Sequence, residues 1–344
     1  MSQDQTNRRR KEEHLDINLK EAVQSPGITT GLEGYSFLHN ALPEIDATTI
    51  DLSLTLLGRA LKAPLVISSM TGGAEPAREI NRNLARAAQS TGIAMGVGSQ
   101  RCALDGDGPA ASYQVRDVAP DILLLANLGA VQLNYGYGTA ECQRAVDMIR
   151  ADALVLHLNP LHEALQAEGN TNFAGLLPKI ERVCRQLKVP VIVKEVGWGI
   201  SAEVARQLAA AGVAAIDTAG AGGTAWGEVE KYRHRDPIAR NAAGAFSHWG
   251  IPTAASILMV QQGAPGTTLI ASGGIRTGVD AAKAIALGAD AVGIAAPFLR
   301  AAAVSAEAVV QAVREITEEL RIAMFAIGAA SLSQLKHSPQ LQPL

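Results

Sequence analysis

Eight short apolar runs recur along the chain, and turn-forming residues follow most of them. The runs cover residues 65–70, 93–97, 122–126, 153–158, 191–195, 214–218, 268–272 and 291–295. The segments between them have helical spacing, and Gly92, Gly212 and Gly288 each follow such a segment, where helices commonly end in a left-handed residue. This alternation is typical of parallel β/α units, whose strands are buried on both faces and therefore read as apolar runs.

Eight strands that are each followed by a helix predict an α/β fold of the TIM-barrel class, with a doubly wound open sheet as the alternative. We assign the barrel to residues 63–330, an N-terminal arm and extension covering it to residues 1–62, and a C-terminal tail to residues 331–344. Residues 219–250 are predicted to form a long loop after the sixth strand and are a candidate lid, because barrels place functional loops at strand C-termini. The predicted helices cover residues 75–90, 109–118, 131–150, 173–187, 201–211, 253–262, 279–287 and 305–327.

Composition limits the setting in which such a protein works. Lys and Arg number 30 against 33 Asp and Glu, a formal charge of −3, so a general nucleic-acid binder is excluded and any anion site must be local. The three cysteines form no CxxC pair, which favours a reducing cytoplasm over a disulfide framework or a zinc site. No signal peptide is expected in the basic N-terminus, and residues 241–275, uncharged but interrupted by prolines and glycines, predict buried structure rather than a membrane span.

Polar and glycine-rich segments follow the predicted strands and would converge on one face of a barrel. Residues 272–276, Ser-Gly-Gly-Ile-Arg, follow the seventh strand, and residues 293–296 lie at the eighth. Barrels commonly bind phosphate at these two positions, through backbone N–H groups and a helix N-terminus. A phosphate site is therefore favoured over plain turns at this edge.

Lys194 ends the fifth strand and leaves three interpretations open: a Schiff-base lysine, a partner for an anionic ring, or a surface residue. Together with Thr71, Ser99 and Asn127 on other strands, it would surround a flat heteroaromatic ligand with hydrogen-bonding groups. Such an arrangement suits a flavin.

A second group of polar residues suits a diphosphate. His157 and Asn159 lie on the same side of an extended strand end, where the histidine could donate a proton or bind a diphosphate oxygen, or be a hydrogen-bonded residue of the barrel mouth. Glu163 follows and suits Mg²⁺, with Glu168 and Glu195 as competitors. The N-terminal cluster of Arg8, Arg9, Arg10, Lys11 and His14 would be a solvated or disordered tail. If the arm folds over the barrel mouth, Arg10, Lys11 and His14 would instead clamp a diphosphate.

Taken together, the motifs resemble those of the type 2, FMN-dependent isopentenyl-diphosphate isomerases, and the resemblance covers nearly the whole chain. It is carried by Arg10-Lys11 with His14, residues 70–73 (MTGG), 98–101 (GSQR), 127–129 (NLG), 157–159 (HLN), 194–197 (KEVG), 221–224 (AGGT) with Trp226 and Glu230, and 272–276 (SGGIR).

The resemblance implies roles for individual residues. FMN would be held by Thr71, Ser99, Asn127, Lys194, Thr224, Gly274, Ile275, Arg276, Ala295 and Ala296. Substrate would be held by Arg10, Lys11, His14, Arg101, His157, Asn159 and His162, and Mg²⁺ by Glu163. The catalytic group would comprise His157, His162, Lys194, Trp226 and Glu230.

The implied reaction converts isopentenyl diphosphate to dimethylallyl diphosphate by a 1,3-allylic proton shift. The flavin must be reduced although no net redox change occurs, and NADPH is the expected reductant. The resemblance also implies a homo-tetramer or homo-octamer.

One residue departs from the family pattern, which usually has Gln directly before the metal-binding Glu. His162 occupies that position here, and we expect it to relay a proton or to orient the substrate. Two alternative functions remain open: an FMN-dependent oxidoreductase of the 2-hydroxy-acid oxidase type, and a non-catalytic paralogue that binds flavin or polyprenyl phosphate.

Overall fold

In the computed structural model, which describes residues 3–106 and 109–344, eight parallel strands close into a barrel. Each strand pairs with its neighbours in chain order, and the last pairs with the first. The predicted TIM barrel is therefore confirmed. The alternative, an open sheet, is excluded because the first and last strands pair with each other and leave no free edge. We number the strands β1 to β8: Leu65–Ile67, Ala94–Gly96, Leu124–Gly129, Ala153–His157, Val191–Lys194, Ala215–Asp217, Thr268–Ser272 and Ala291–Ile294.

Helices surround the barrel, and most of the predicted helices are among them. They are Glu75–Thr91, Arg101–Leu104, Thr139–Ile149, Pro160–Leu165, Leu176–Gln186, Ala202–Ala210, Trp226–Arg233, Pro237–Ala245, Thr253–Gly263, Gly278–Ala286, Ala296–Ala302, Ala306–Ile327 and Leu332–Leu335. Short 3₁₀ turns cover Leu32–Gly34, Ala47–Thr49, Ala110–Ser112 and Ala130–Asn134. Gly92, Gly212 and Gly288 have φ angles of 71°, 82° and 120°, so the glycine positions that predicted helix ends are confirmed.

Two helix predictions and one loop prediction need correction. Residues 109–118 hold only the turn Ala110–Ser112, and the predicted helix 131–150 is divided into Ala130–Asn134 and Thr139–Ile149. The division falls at Gly136, whose φ of 92° a helix cannot contain. The predicted loop 219–250 contains two helices. The second begins at Pro237, directly after the N-cap residue Asp236, whose carboxylate accepts hydrogen bonds from the backbone N–H groups of Ile238 and Ala239.

The segments outside the barrel close its ends. A hairpin of Leu54–Leu56 and Arg59–Leu61 packs Leu56 and Leu61 against the apolar side chains that fill the barrel interior. Tyr35–Phe37 pairs with Leu341–Pro343, so the N-terminal extension and the C-terminal tail share a two-stranded sheet. The arm itself is a helix, Gln3–Lys20. Of the helices that the structure describes, none has the length and apolar character to cross a membrane.

Candidate active site

A cavity of about 290 Å³ opens where the C-termini of the barrel strands meet. Its lining includes every binding or catalytic residue predicted from the sequence except Glu230, which lies fully buried directly behind it. Residues from the arm helix and from the ends of the strands thus face the same space. The side chains that were predicted separately to bind flavin, substrate and metal therefore line one cavity.

One wall of the cavity consists of two glycine-rich loops, residues 220–223 after β6 and 273–276 after β7. Gly273 and Gly274 have φ angles of 107° and 72°. A Cβ atom on Gly273 would lie 2.1 Å from the carbonyl oxygen of Gly220, and one on Gly274 would lie 2.4 Å from that of Gly222. These glycines are therefore required by contact between the two loops, whereas the sequence suggested only close approach to a ligand.

Lys194 is buried at the end of β5, so its interpretation as a surface residue is wrong. Its Nζ lies 3.5 Å from Oδ1 of Asp217 and 3.3 Å from Oγ of Ser272, and Ser272 donates to the same carboxylate at 2.5 Å. A lysine paired with a carboxylate at the floor of a cavity presents a fixed cation. This geometry favours a partner for an anionic ring.

Several features of this wall fit a phosphorylated flavin. The helix Ala296–Ala302 begins at the cavity without a side-chain cap, and unsatisfied N–H groups of a helix start favour an anion. Arg276 also lines the cavity, held by Nη1 donating to the carbonyl oxygen of Gly274 at 2.8 Å. Ser68 Oγ is buried without a hydrogen-bond partner among the described residues, as expected of a group that would bond a ligand.

His157 lies against Asn127, whose Oδ1 is 2.8 Å from the histidine Nδ1. Burial, together with the nearby His162 and Lys194, lowers the pKa of His157 to about 3. The imidazole is neutral near pH 7, so Nδ1–H donates to Asn127 and Nε2 is left as an acceptor. Two roles were predicted for His157, donating a proton and binding a diphosphate oxygen. To donate a proton from Nε2, His157 must first take one up.

Glu163 sits in a set of oxygen and amide groups. Its carboxylate accepts from Nδ2 of Asn159 at 2.8 Å and from the backbone N–H of Asn170 at 2.5 Å. Asn159 Oδ1 is buried and has no partner among the described residues. A buried carboxylate beside an unsatisfied amide oxygen is a donor set of the kind that Mg²⁺ prefers. Glu163 therefore fits the predicted metal site.

Glu168 and Glu195, the alternatives to Glu163 as the Mg²⁺ ligand, are not among the described residues that line the cavity. Glu195 caps its own loop by accepting from the N–H groups of residues 196–198 at 2.7, 2.7 and 2.5 Å, and burial raises its pKa to about 7. Glu168 lies 3.7 Å from Arg233 beside a neighbouring cavity.

The arm helix covers the mouth of the cavity. Lys11 Nζ donates to the carbonyl oxygen of Ser99 at 2.7 Å and to the hydroxyl of Tyr113 at 2.8 Å. Burial lowers the pKa of Lys11 to about 8. Arg10 also lines the cavity, as does Arg101, whose Nη1 donates to Oδ1 of Asn170 at 2.8 Å. In this structure the arm therefore lines the cavity and is not a solvated tail.

Glu230 joins the arm to the barrel. Its Oε1 accepts from His14 Nε2 at 2.8 Å and from His162 Nε2 at 3.0 Å, and its Oε2 accepts from Arg233 at 2.6 Å. Burial opposes ionisation of Glu230, but the hydrogen bonds from the two histidines outweigh it and hold its pKa below the usual range. Burial also lowers the pKa of His14 to about 4, so a neutral imidazole donates to an ionised carboxylate. Trp226 stacks on His162 with ring centroids 4.4 Å apart.

Some residues of the site were missed in the sequence. Ser68 precedes the polar segment after β1, and its position at a strand end was a signal that could have found it. Asn170 connects Arg101 and Gln132 to Glu163, and Tyr113 holds Lys11, but neither belongs to a motif. Arg233 lies in the segment that was predicted to be a loop.

Comparison with known proteins defines first the class of protein. The family model of FMN-dependent dehydrogenases matches residues 141–342, so the chain belongs to that class and FMN is the cofactor that the match supports. Two solved structures share the fold. A mandelate oxidase variant has a TM-score of 0.66 at 20% identity, covering 99% of this chain and 98% of its own. A flavocytochrome b2 variant has a TM-score of 0.69 at 15% identity, covering 96% and 82%.

Relatives with much higher identity define the particular family. Proteins named isopentenyl-diphosphate delta-isomerase are 56% identical in Synechococcus sp., 52% in Oceanobacillus iheyensis and 54% in Stutzerimonas stutzeri. These matches cover 96–97% of this chain and 95–96% of each relative. The chain belongs to the isopentenyl-diphosphate delta-isomerase family, and the resemblance seen in its motifs is confirmed.

Proposed function

We propose that this chain converts isopentenyl diphosphate to dimethylallyl diphosphate by a 1,3-allylic proton shift, with reduced FMN and Mg²⁺. The observation that carries the proposal is that one cavity is lined both by the residues that fit a flavin, Lys194 and residues 273–276, and by the cationic residues of the arm, Arg10 and Lys11. A diphosphate substrate needs the cationic residues of the arm, and a simple 2-hydroxy acid does not.

The chemistry asks for a strong acid next to a weakly basic alkene in a dry site. Reduced FMN would supply an electron-rich ring with a proton at N5. The chain's own residues would bind and orient the substrate: Arg10, Lys11 and Arg101 hold the diphosphate charge, and Glu163 with Mg²⁺ fixes its oxygens. The arm helix excludes water from the reacting carbons.

Two catalytic assignments become more specific. His162 lines the cavity and donates to the buried Glu230, so it could pass a proton between substrate and carboxylate or orient the substrate. Glu230 is not among the residues that line the cavity, and we assign it a positioning role through His14 and His162. His157, Lys194 and Trp226 remain proposed catalytic residues that face the cavity.

The remaining expectations belong to the same proposal. NADPH would reduce the flavin, and the chain would work as a homo-tetramer or homo-octamer. The three cysteines are free, and burial raises the pKa of Cys142 to about 12 and of Cys184 to about 11, which is consistent with inert thiols in a reducing cytoplasm.

The test is product analysis without oxygen. Purified protein is incubated with FMN, Mg²⁺, isopentenyl diphosphate and a reductant, and we expect dimethylallyl diphosphate. Oxidation of lactate-type substrates with no isomerised product would favour the oxidoreductase, and flavin binding without turnover would favour the paralogue. In the same assay, unchanged turnover and an unchanged pH profile in His162→Ala would contradict the role given to His162.

A further inference from the structure

Two histidines and one glutamate converge where the arm crosses the barrel mouth. Among the side chains that the structure describes, His14, His162 and Glu230 offer metal-ligand atoms that all lie within 4.8 Å of one another. His162 comes from the short helix Pro160–Leu165 after β4, Glu230 from the helix Trp226–Arg233, and His14 from the arm. Three protein ligands are the usual complement of an open zinc site, in which water or substrate takes the fourth position.

We propose that His14, His162 and Glu230 form a binding site for a divalent transition-metal ion of the Zn²⁺ class, distinct from the proposed Mg²⁺ site at Glu163. Ligand chemistry separates the two sites. Imidazole nitrogens suit Zn²⁺, Co²⁺ and Ni²⁺, whereas Mg²⁺ prefers an all-oxygen set such as that around Glu163.

Two of the three ligand distances are close to those that a tetrahedral ion requires, and the ligand atoms of His14 and His162 lie within 4.8 Å of each other. Zn²⁺ binds nitrogen and carboxylate oxygen at roughly 2.0–2.2 Å, which places two ligand atoms about 3.4 Å apart. Oε1 of Glu230 lies 2.8 Å from Nε2 of His14 and 3.0 Å from Nε2 of His162. Both separations must widen by roughly half an ångström, and each ring must carry its proton on Nδ1 so that the Nε2 lone pair faces the ion.

The surroundings hold the three ligands in place. Arg233 donates to Oε2 of Glu230 at 2.6 Å, which fixes the carboxylate and leaves Oε1 directed at the histidines. Trp226 stacks on His162 at 4.4 Å and meets His14 edge-on at 5.2 Å between ring centroids. Both histidines also line the cavity, so the fourth coordination position would open toward the space proposed for the diphosphate.

Binding of the ion would join the arm helix to two helices that follow barrel strands, Pro160–Leu165 and Trp226–Arg233. Because His14 is the arm's contribution to the site, the ion would hold the arm closed over the cavity. The site itself requires no turnover, and it can be tested separately from the proposed isomerase activity.

The experiment titrates Zn²⁺ into the FMN-loaded protein by calorimetry in the presence of excess Mg²⁺, and follows amide hydrogen exchange in residues 10–18. We expect one Zn²⁺ per chain and slower exchange in the arm. His162→Gln and His14→Gln should each weaken binding by roughly tenfold or more, since each removes one ligand nitrogen. The matched control is His234→Gln, because His234 is half-buried nearby but bonds the carbonyl oxygen of Leu165.

The outcomes are separable. Unchanged Zn²⁺ affinity in His234→Gln together with weakened affinity in His162→Gln supports the site, provided that the variant keeps its FMN absorption and melting temperature. An absence of Zn²⁺ binding when Mg²⁺ is present, equal loss in all three variants, or Zn²⁺ binding that leaves arm exchange unchanged would overturn it. Isomerase activity in Mg²⁺ alone reports on the proposed function whichever result is found.

Discussion

The cavity has two walls that are built in different ways. The barrel wall, formed by the loops 220–223 and 273–276, consists of backbone packed on backbone. The arm wall, formed by residues 9–20 with 226–234, consists of charged and aromatic side chains that meet across more than 200 residues of sequence, as Glu13 and Arg233 do. The barrel wall therefore depends on backbone shape, and the arm wall depends on the ionisation of a few groups.

The two walls should also differ in how easily they open. Strands β1 to β8 bury nearly continuous apolar surface, whereas within residues 9–20 of the arm Leu15 is buried and Leu19 is only partly so. Few apolar contacts and many polar ones characterise segments that open at low free-energy cost. We infer that the arm can leave the barrel while the barrel stays folded.

The largest effect is expected from Glu230→Gln, which breaks the arm wall alone. The substitution removes the charge shared by His14, His162 and Arg233, and breaking a buried ion pair costs about 3–5 kcal/mol. We expect at least about a hundredfold loss of kcat/KM, with a free energy of that size divided between arm closure and catalysis. Hydrogen exchange in residues 10–18 should become faster, while FMN binding persists.

Glu13→Gln is the matched control for this change. Glu13 bonds Arg9 and Arg233 but is one-third exposed, so its ion pairs contribute about 0–1 kcal/mol. Equal losses in Glu13→Gln and Glu230→Gln, or loss of FMN from the second variant, would show that the two walls are not independent.

The barrel wall could be predicted from the sequence more completely than the arm wall. The barrel wall follows from local signals, because a strand period and a Gly-Gly pair each specify structure within a few residues. The arm wall does not, since a basic segment at residues 8–14 reads equally well as a solvated tail. Its placement over the barrel mouth was one of two alternatives until the family resemblance favoured it, and the helix that carries Trp226, Glu230 and Arg233 was predicted to be a loop. Asp236-Pro237 was a usable helix-start signal for the helix that follows it.

A smaller effect is expected from Gly274→Ala, which strains the barrel wall alone. The new Cβ would meet the carbonyl oxygen of Gly222 at 2.4 Å in a left-handed backbone, so one of the loops must shift at a cost of about 1–3 kcal/mol. The dissociation constant for FMN should rise about tenfold to a hundredfold. Arm hydrogen exchange should stay unchanged.

Gly266→Ala separates the contact from the backbone conformation. Gly266 has a similar φ of 82°, but nothing lies within 4 Å of the position that a Cβ would take. This variant should lose some stability and keep its FMN affinity. If both variants lose FMN equally, the contact between the loops is not what shapes the flavin wall.

The smallest effect concerns pH and affects the arm wall through Lys11. Burial lowers the pKa of Lys11 to about 8 when the arm is closed, so the closed state binds fewer protons than the open state between about pH 8 and 10.5. Arm closure should therefore become more favourable as pH rises through this range, and exchange in residues 10–18 should slow beyond its intrinsic pH dependence. Tyr113 does not titrate there, because burial raises its pKa well above 10.

The same titration should act on the diphosphate with the opposite sign. Above pH 8 the Lys11 ammonium loses its charge, so the affinity for isopentenyl diphosphate should fall by up to about tenfold between pH 7 and pH 9. Lys11→Arg keeps a permanent charge and should abolish this dependence. A pH profile of affinity that is identical in the native chain and in Lys11→Arg would show that Lys11 does not bind the diphosphate, whatever the arm does.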